Sequence, residues 1–198
     1  YTIHEFVIAA HLVEPYAVAY ASAFAFHGLF DLVPETVFVA TTRRKADVVV
    51  EKLGLRFRFV TLTPHKFFGI EAVNVEDHPV RITTPSKTLV DGLDRPELCG
   101  GIGEVMKGIY RYATDDADWE RVTSDAQRLG NRTVFKRLGY LAELMGIEVD
   151  DWLRRWREEI SAGETLLDPR YGDRGTYNSE WNLRLNVSEG QLLDWRRY

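Results

Sequence analysis

The sequence predicts an α+β protein: an N-terminal mixed β-sheet region with a buried helix, then a helical region, then a returning C-terminal strand. Three observations carry this. Leu55-Arg56-Phe57-Arg58-Phe59-Val60-Thr61 alternates strictly, with Phe57 and Phe59 on one face and Arg56 and Arg58 on the other, as a half-buried strand does. From Pro85 the texture changes to helical segments with marked ends. Trp181-Asn182-Leu183-Arg184-Leu185-Asn186-Val187 then alternates again.

Taken in order, residues 4–13 are mixed apolar and read as a strand or a short helix. Tyr16 to Leu29 is rich in alanine and aromatics and closes on Gly28, which predicts a buried helix. Val37–Thr42 is β-branched and reads as a strand, Val48–Glu51 as a short one. Phe67–Val75 and Val80–Ile82 supply two more. Thr84 and Pro85 open the first helix of the second half, since proline at the first helical position loses no hydrogen bond. Helices are predicted over 85–94, 102–112, 117–129, 132–145 and 150–161. Gly130 ends one and Asn131 caps the next; Gly146 ends that one, and Asp150 or Asp151 caps the last.

At 198 residues the chain buries a real core, with 45% hydrophobic and 28% charged residues. No apolar run approaches the roughly 20 residues that span a bilayer. The opening Tyr1-Thr2-Ile3-His4-Glu5 has no basic n-region or cleavage site. The single cysteine, Cys99, excludes an internal disulfide and fits a reducing cytoplasm. The net charge of −5 argues against a polyanion binder over its whole surface, although a local basic patch is compatible with it.

Familiar catalytic patterns are missing. The histidines, His4, His11, His27, His65 and His78, form no HExxH frame, so no metal and no cofactor is expected; His27, ending an apolar helix, reads as a satisfied structural group. Gly100-Gly101-Ile102-Gly103 precedes a helix as a phosphate loop would, but it follows a helix rather than a strand and reads as a tight turn. Ser22 and Ser86 lack the GxSxG elbow, and Cys99 reads as a packing residue. Asp91 and Asp94 lie i,i+3, and with Glu71, Glu76 and Asp77 they admit a metal-dependent nuclease as an alternative. The (D/E)-x-K element of such enzymes is absent: Glu51 and Lys52 are adjacent.

Two basic clusters are candidate nucleic-acid or partner contacts. Arg43, Arg44 and Lys45 follow a strand and are reinforced by Arg56 and Arg58, the better polyanion candidate. Arg132, Lys136 and Arg137 follow Gly130. A helix-turn-helix wants an apolar residue six positions after that glycine and finds Lys136, so these three are expected to face solvent or a partner from a helical hairpin. Trp152 and Trp156, flanked by Arg154, Arg155 and Arg157, are placed in the core rather than in an interface.

Six blocks together resemble the AbiEi family of antitoxins from type IV toxin–antitoxin and abortive-infection systems: Tyr20–Leu29, Thr36–Thr41, Arg56–Val60, Lys87–Gly101, Leu129–Leu141 and Trp181–Val187. Their order and spacing carry the resemblance, which runs from about Tyr16 to Val187; Lys87, Asp91, Asp94 and Arg95 match the family pattern position by position. The resemblance implies one non-enzymatic antitoxin domain over 1–198: sheet-rich 1–83, helical 84–163, and a C-terminal loop and strand 164–198. It implies a nucleotidyltransferase-like toxin as functional partner. It further implies a winged helix that binds operator DNA and represses the operon. No complete winged helix fits before Tyr16, so the DNA-binding half is expected to lie outside this chain. Lys87, Asp91, Asp94 and Arg95 are read first as an ion-paired helix end, ahead of any contact role.

Overall fold

The computed structural model describes residues 3–31 and 33–197; Tyr1 and Thr2, part of the opening screened for a leader, lie outside the described residues. The chain divides into two compact units, Tyr1–Thr88 and Leu89–Tyr198. The change of texture seen at Pro85 falls beside that division.

The first unit is built on a mixed sheet. Helix α1, Glu5–Leu12, resolves the ambiguity of residues 4–13; His4 caps it, its Nδ1 accepting from the Phe6 N–H at 3.1 Å. The helix expected from Tyr16 is shorter. Ala17–Val18 form strand β1, and α2 spans Tyr20–Phe26. Ala17 and Val18 are taken by the sheet because they pair antiparallel with Ala40 and Val39, while Val18 also pairs parallel with Ile82. Local helix propensity loses to these tertiary pairings. Strands β2 (Thr36–Thr41), β3 (Val48–Val50), β4 (Leu55–Thr61), β5 (Ile70–Val75) and β6 (His78–Thr83) complete the six-stranded order β3-β4-β2-β1-β6-β5.

Strands β2 and β4 run parallel in unbroken register from Thr36↔Arg56 to Thr41↔Thr61. Strands β5 and β6 form a hairpin whose two turn residues, Glu76 and Asp77, both have left-handed φ, +47° and +66°, as a type I′ turn requires. One sheet face is the core: Val37, Val39, Phe57, Phe59, Val80 and Ile82 pack with Phe6, Val7 and Ala9 of α1. Where β1 ends, Ser22 substitutes for a strand along the β2 edge. Its Oγ accepts from the Phe38 N–H at 2.9 Å and donates to the Thr36 carbonyl at 3.4 Å.

Helix α3, Pro85–Asp94, keeps the boundaries expected of it and contains the division between the units. The second unit continues with α4 (Ile102–Thr114), α5 (Trp119–Leu129), α6 (Thr133–Met145) and α7 (Asp150–Glu159). Gly130 ends α5 with φ +80°; Arg132 rather than Asn131 holds the N-cap position of α6, and Asn131, one residue earlier, still accepts at its Oδ1 from the Thr133 N–H at 3.1 Å. Asp150 and Asp151 do not cap α7. Val149 holds that position, and the two carboxylates sit in the first turn, where they complement the positive end of the helix.

The closing strand contracts to β9, Leu183–Leu185, the middle of a small sheet β7-β9-β8 with β7 Thr165–Leu166 and β8 Thr176–Asn178. Helix α8, Glu189–Leu193, follows, opened by a capping box between Ser188 and Gln191. Trp156 is buried as expected and donates from Nε1 to the Thr123 Oγ1 at 2.8 Å; Trp152 is half-buried and stacks on it with centroids 6.3 Å apart. Among the described residues no helix is long and apolar enough to cross a membrane.

Candidate partner interface and signature framework

The signature run Lys87–Gly101 divides its work between the units. In the first unit Lys87 is buried, its ammonium 4.8 Å from the centroid of the Phe68 ring and its stem packed where Gly69 lacks a side chain. A Cβ on Gly69 would lie 2.8 Å from Lys87 Cβ. Beside it the Thr83 carbonyl accepts from the Thr88 hydroxyl at 3.2 Å and from the His27 Nε2 at 2.7 Å. His27 is thus the satisfied structural histidine the sequence suggested. Burial lowers its pKa below the ordinary value, opposed by the Thr83 bond and the charge of Glu71.

In the second unit the end of α3 is a hub. Arg95 pairs with Glu97, and the Asn131 Nδ2 donates to the Asp94 Oδ1. Arg137 donates from Nη1 to the carbonyl of Leu93 at 2.6 Å and of Asp94 at 3.4 Å, and from Nη2 to the carbonyl of Leu166 at 2.9 Å. This overturns the expectation for two of the basic residues of α6. Lys136 and Arg137 do not face solvent; they are 0% and 4% exposed. Lys136 donates to the Gly163 carbonyl and the Thr165 hydroxyl. The physical reason is that strand β7 and the carbonyl end of α3 offer acceptors, and long cationic side chains reach them from inside the unit. Burial draws the Arg137 guanidinium down to about 10, against the charges of Asp94, Glu97 and Asp168, and lowers Lys136 as well. Of the three, Arg132 alone is exposed.

The glycine turn before α4 holds an anion, and that anion is a side chain of the chain itself. Asp168 is fully buried; its Oδ2 accepts from the Ile102 N–H at 2.9 Å, and its two oxygens accept from Arg170. The Arg170 guanidinium fills the space a Cβ on Gly101 would need, 1.6 Å from Nη2, and Gly101 has φ +103°. The resemblance of Gly100–Gly103 to a phosphate loop therefore has a physical basis, a positive helix end, already neutralised by Asp168.

Cys99 is buried, and its thiol is pushed well up by burial and then by the charges of Asp91 and Glu97, the reverse of an activated nucleophile. Glu71 and Asp77 are exposed, and the Glu76 Oε2 accepts from the backbone N–H of His4 at 3.2 Å. Among the described residues no three His, Cys, Asp or Glu side chains form a group that could hold a metal.

The first unit carries the exposed cations. Arg43 and Arg44 are exposed in the loop after β2, and Lys45 is half-exposed. They do not make one patch with Arg56 and Arg58 on a single face. Lys45 lies 5.8 Å from the ring of Phe59, on the α1-facing side, whereas Arg56 and Arg58 project from the opposite side of β4. Arg58 lies 5.9 Å from the ring of Phe38, which shares that side. The sequence reading missed His65 and Lys66. They follow β4, and the loops after β2 and β4 leave the sheet side by side: the Leu62 N–H donates to the Thr41 carbonyl at 2.8 Å, and the Thr61 hydroxyl to the Arg43 carbonyl at 3.5 Å. Parallel pairing of β2 with β4 was the missing information.

No protein-family profile matches this chain, and no curated protein matches it. The fold does match solved structures. A crystal structure of the RV2827C protein from Mycobacterium tuberculosis superposes with a TM-score of 0.65 at 14% identity, over 98% of this chain and 70% of that one. At this identity the likeness is one of fold.

Proposed function

We propose that this chain is a non-enzymatic antitoxin domain of a type IV toxin–antitoxin system, acting in the cytoplasm against a nucleotidyltransferase-like toxin. The observation that supports the reading is how the resembling blocks meet. Lys87–Gly101, Leu129–Leu141 and Trp181–Val187 lie far apart in sequence, yet Arg137 and Asn131 of one block bond the α3 end of another. Gly139 packs against Trp181 of the third. Three of the six resembling blocks thus meet one another within the second unit.

In this reading Asp94 and Arg95 are framework, and the working surface is the exposed basic edge of the first unit around Arg43, Arg44, Arg56 and Arg58. In this reading operator binding and repression of the operon would belong to a winged helix of the family and not to these residues. Co-expression with the neighbouring toxin tests the proposal: a soluble, folded chain restores growth, and failure to restore it removes the reading.

A further inference from the structure

Basic residues are concentrated in one part of this acidic chain. Residues 42–66 hold seven Lys or Arg and two Asp or Glu, whereas the whole chain has a net charge of −5. They span the loop after β2, strands β3 and β4, and the loop after β4, one corner of the sheet with β3 as its edge strand. Each of the seven cations is exposed or half-exposed. The two acids are Asp47, whose Oδ1 accepts from the Phe59 N–H at 3.1 Å, and Glu51.

We infer that this corner binds single-stranded nucleic acid, with the phosphates on the cations of both loops and of β4, and a base against Phe38. The inference deepens the polyanion-contact expectation for Arg43, Arg44, Lys45, Arg56 and Arg58, and it rests on the proposed function only in taking this edge as the working surface. Three features select the occupant. The surplus of positive charge matches a polyanion. Phe38 is half-exposed on the same side as Arg58, a ring on which an unpaired base can stack beside a guanidinium. Val49, 57% exposed and in register with Arg56, extends that side with apolar surface.

The third feature is the split of the cations across the sheet: Lys45 on the α1-facing side, Arg56 and Arg58 on the other, Arg43, Arg44 and Lys66 in the loops at the end. A duplex is stiff over about 150 base pairs and presents phosphates to one flat stripe. A single strand bends around an edge and reaches both sides.

Fluorescence anisotropy with labelled 20-mers of oligo(U) and oligo(dT), a 20-base-pair DNA duplex, and poly-glutamate as an acidic polypeptide tests this on the whole chain. Expected is tighter binding of the single strands than of the duplex or of poly-glutamate. With about five phosphates engaged, affinity falls about 100-fold as salt rises from about 50 to about 200 mM. Arg56→Glu with Arg58→Glu weakens binding at least tenfold while circular dichroism stays unchanged. Arg43→Ala with Arg44→Ala weakens it several-fold, and Phe38→Leu about tenfold. Arg154→Ala, on α7, leaves it unchanged. Absent binding, equal or tighter binding of the duplex or of poly-glutamate, or indifference to the charge reversals would overturn the inference. Growth rescue reads the antitoxin proposal separately: rescue without nucleic-acid binding overturns this inference alone, and binding without rescue overturns the antitoxin reading alone.

Discussion

Asp168 fills the N-terminus of α4, its Oδ2 2.9 Å from the backbone nitrogen of Ile102. Burial on its own would raise this carboxyl, but the bonds from Arg170 and from the N–H groups of Ile102 and Arg170 more than offset it, leaving it below the ordinary carboxylate value. A lowered carboxylate contributes stability at pH above its unfolded value, near 4, and loses it as pH falls through the lower folded value. Asp168→Ala is expected to cost about 2–4 kcal/mol at pH 7, because the Ile102 N–H and the Arg170 guanidinium lose a buried charged partner. Asp168→Asn costs less and flattens the acid limb of stability below about pH 4. Denaturant unfolding across pH checks both; an unchanged acid limb in Asp168→Asn would contradict the assignment.

Arg137 serves three backbone carbonyls from the interior of the second unit. Removing it strands acceptors at the end of α3 and in β7, so Arg137→Ala is expected to lose about 3 kcal/mol or more. Arg137→Lys recovers little, since one ammonium cannot copy a fork that reaches two elements. Arg132→Ala, on an exposed position of the same segment, stays within about 0.5 kcal/mol. Thermal unfolding of the three variants ranks them, and equal midpoints for Arg137→Ala and Arg132→Ala would refute the framework role.

Gly139 sits on α6 because the Trp181 ring occupies the space of its missing side chain. A Cβ there would lie 2.0 Å from the ring. The indole is held by its Nε1 bond to the Glu143 Oε2 at 2.6 Å and by Arg157, 5.1 Å from the ring, so it cannot swing aside freely. Gly139→Ala, which would favour an isolated helix, is therefore expected to destabilise the protein by about 1–3 kcal/mol. Stabilisation in a denaturant titration would show that the ring yields.

His27 gives the first unit an acid sensitivity of its own. Its folded pKa lies below the ordinary 6.5. The unfolded chain therefore takes up the proton first, and stability is lost as pH falls below about 6.5, until the folded value is passed. His27→Gln should weaken the protein at pH 7.5, by loss of the Thr83 bond, and flatten the slope below about pH 6.5. An unaltered slope would place the titration elsewhere.

Much of the fold was legible wherever a period or a cap announced an element. The alternation of Leu55–Thr61, the Pro85 start and the Gly130 stop all map onto the structure with little change. What escaped were features decided by pairing at a distance. Strands β7 and β8 are two and three residues long and carry no period. β1 is a helix-like sequence claimed by strand partners. Lys136 and Arg137 look like surface residues on any charge map, and only the carbonyls of Leu93, Gly163 and Leu166 explain their burial. His65 and Lys66 joined Arg43 and Arg44 through a parallel register that no local pattern encodes.

The most direct test of the account is growth in cells that express the neighbouring nucleotidyltransferase-like toxin, with either the native chain or the Arg56→Glu, Arg58→Glu variant supplied at equal soluble level. The account predicts that the native chain restores growth and the charge-reversed chain, equally folded, does not. A folded native chain that gives no protection would contradict the antitoxin reading; full protection by the variant would contradict the placement of the working surface on the basic edge.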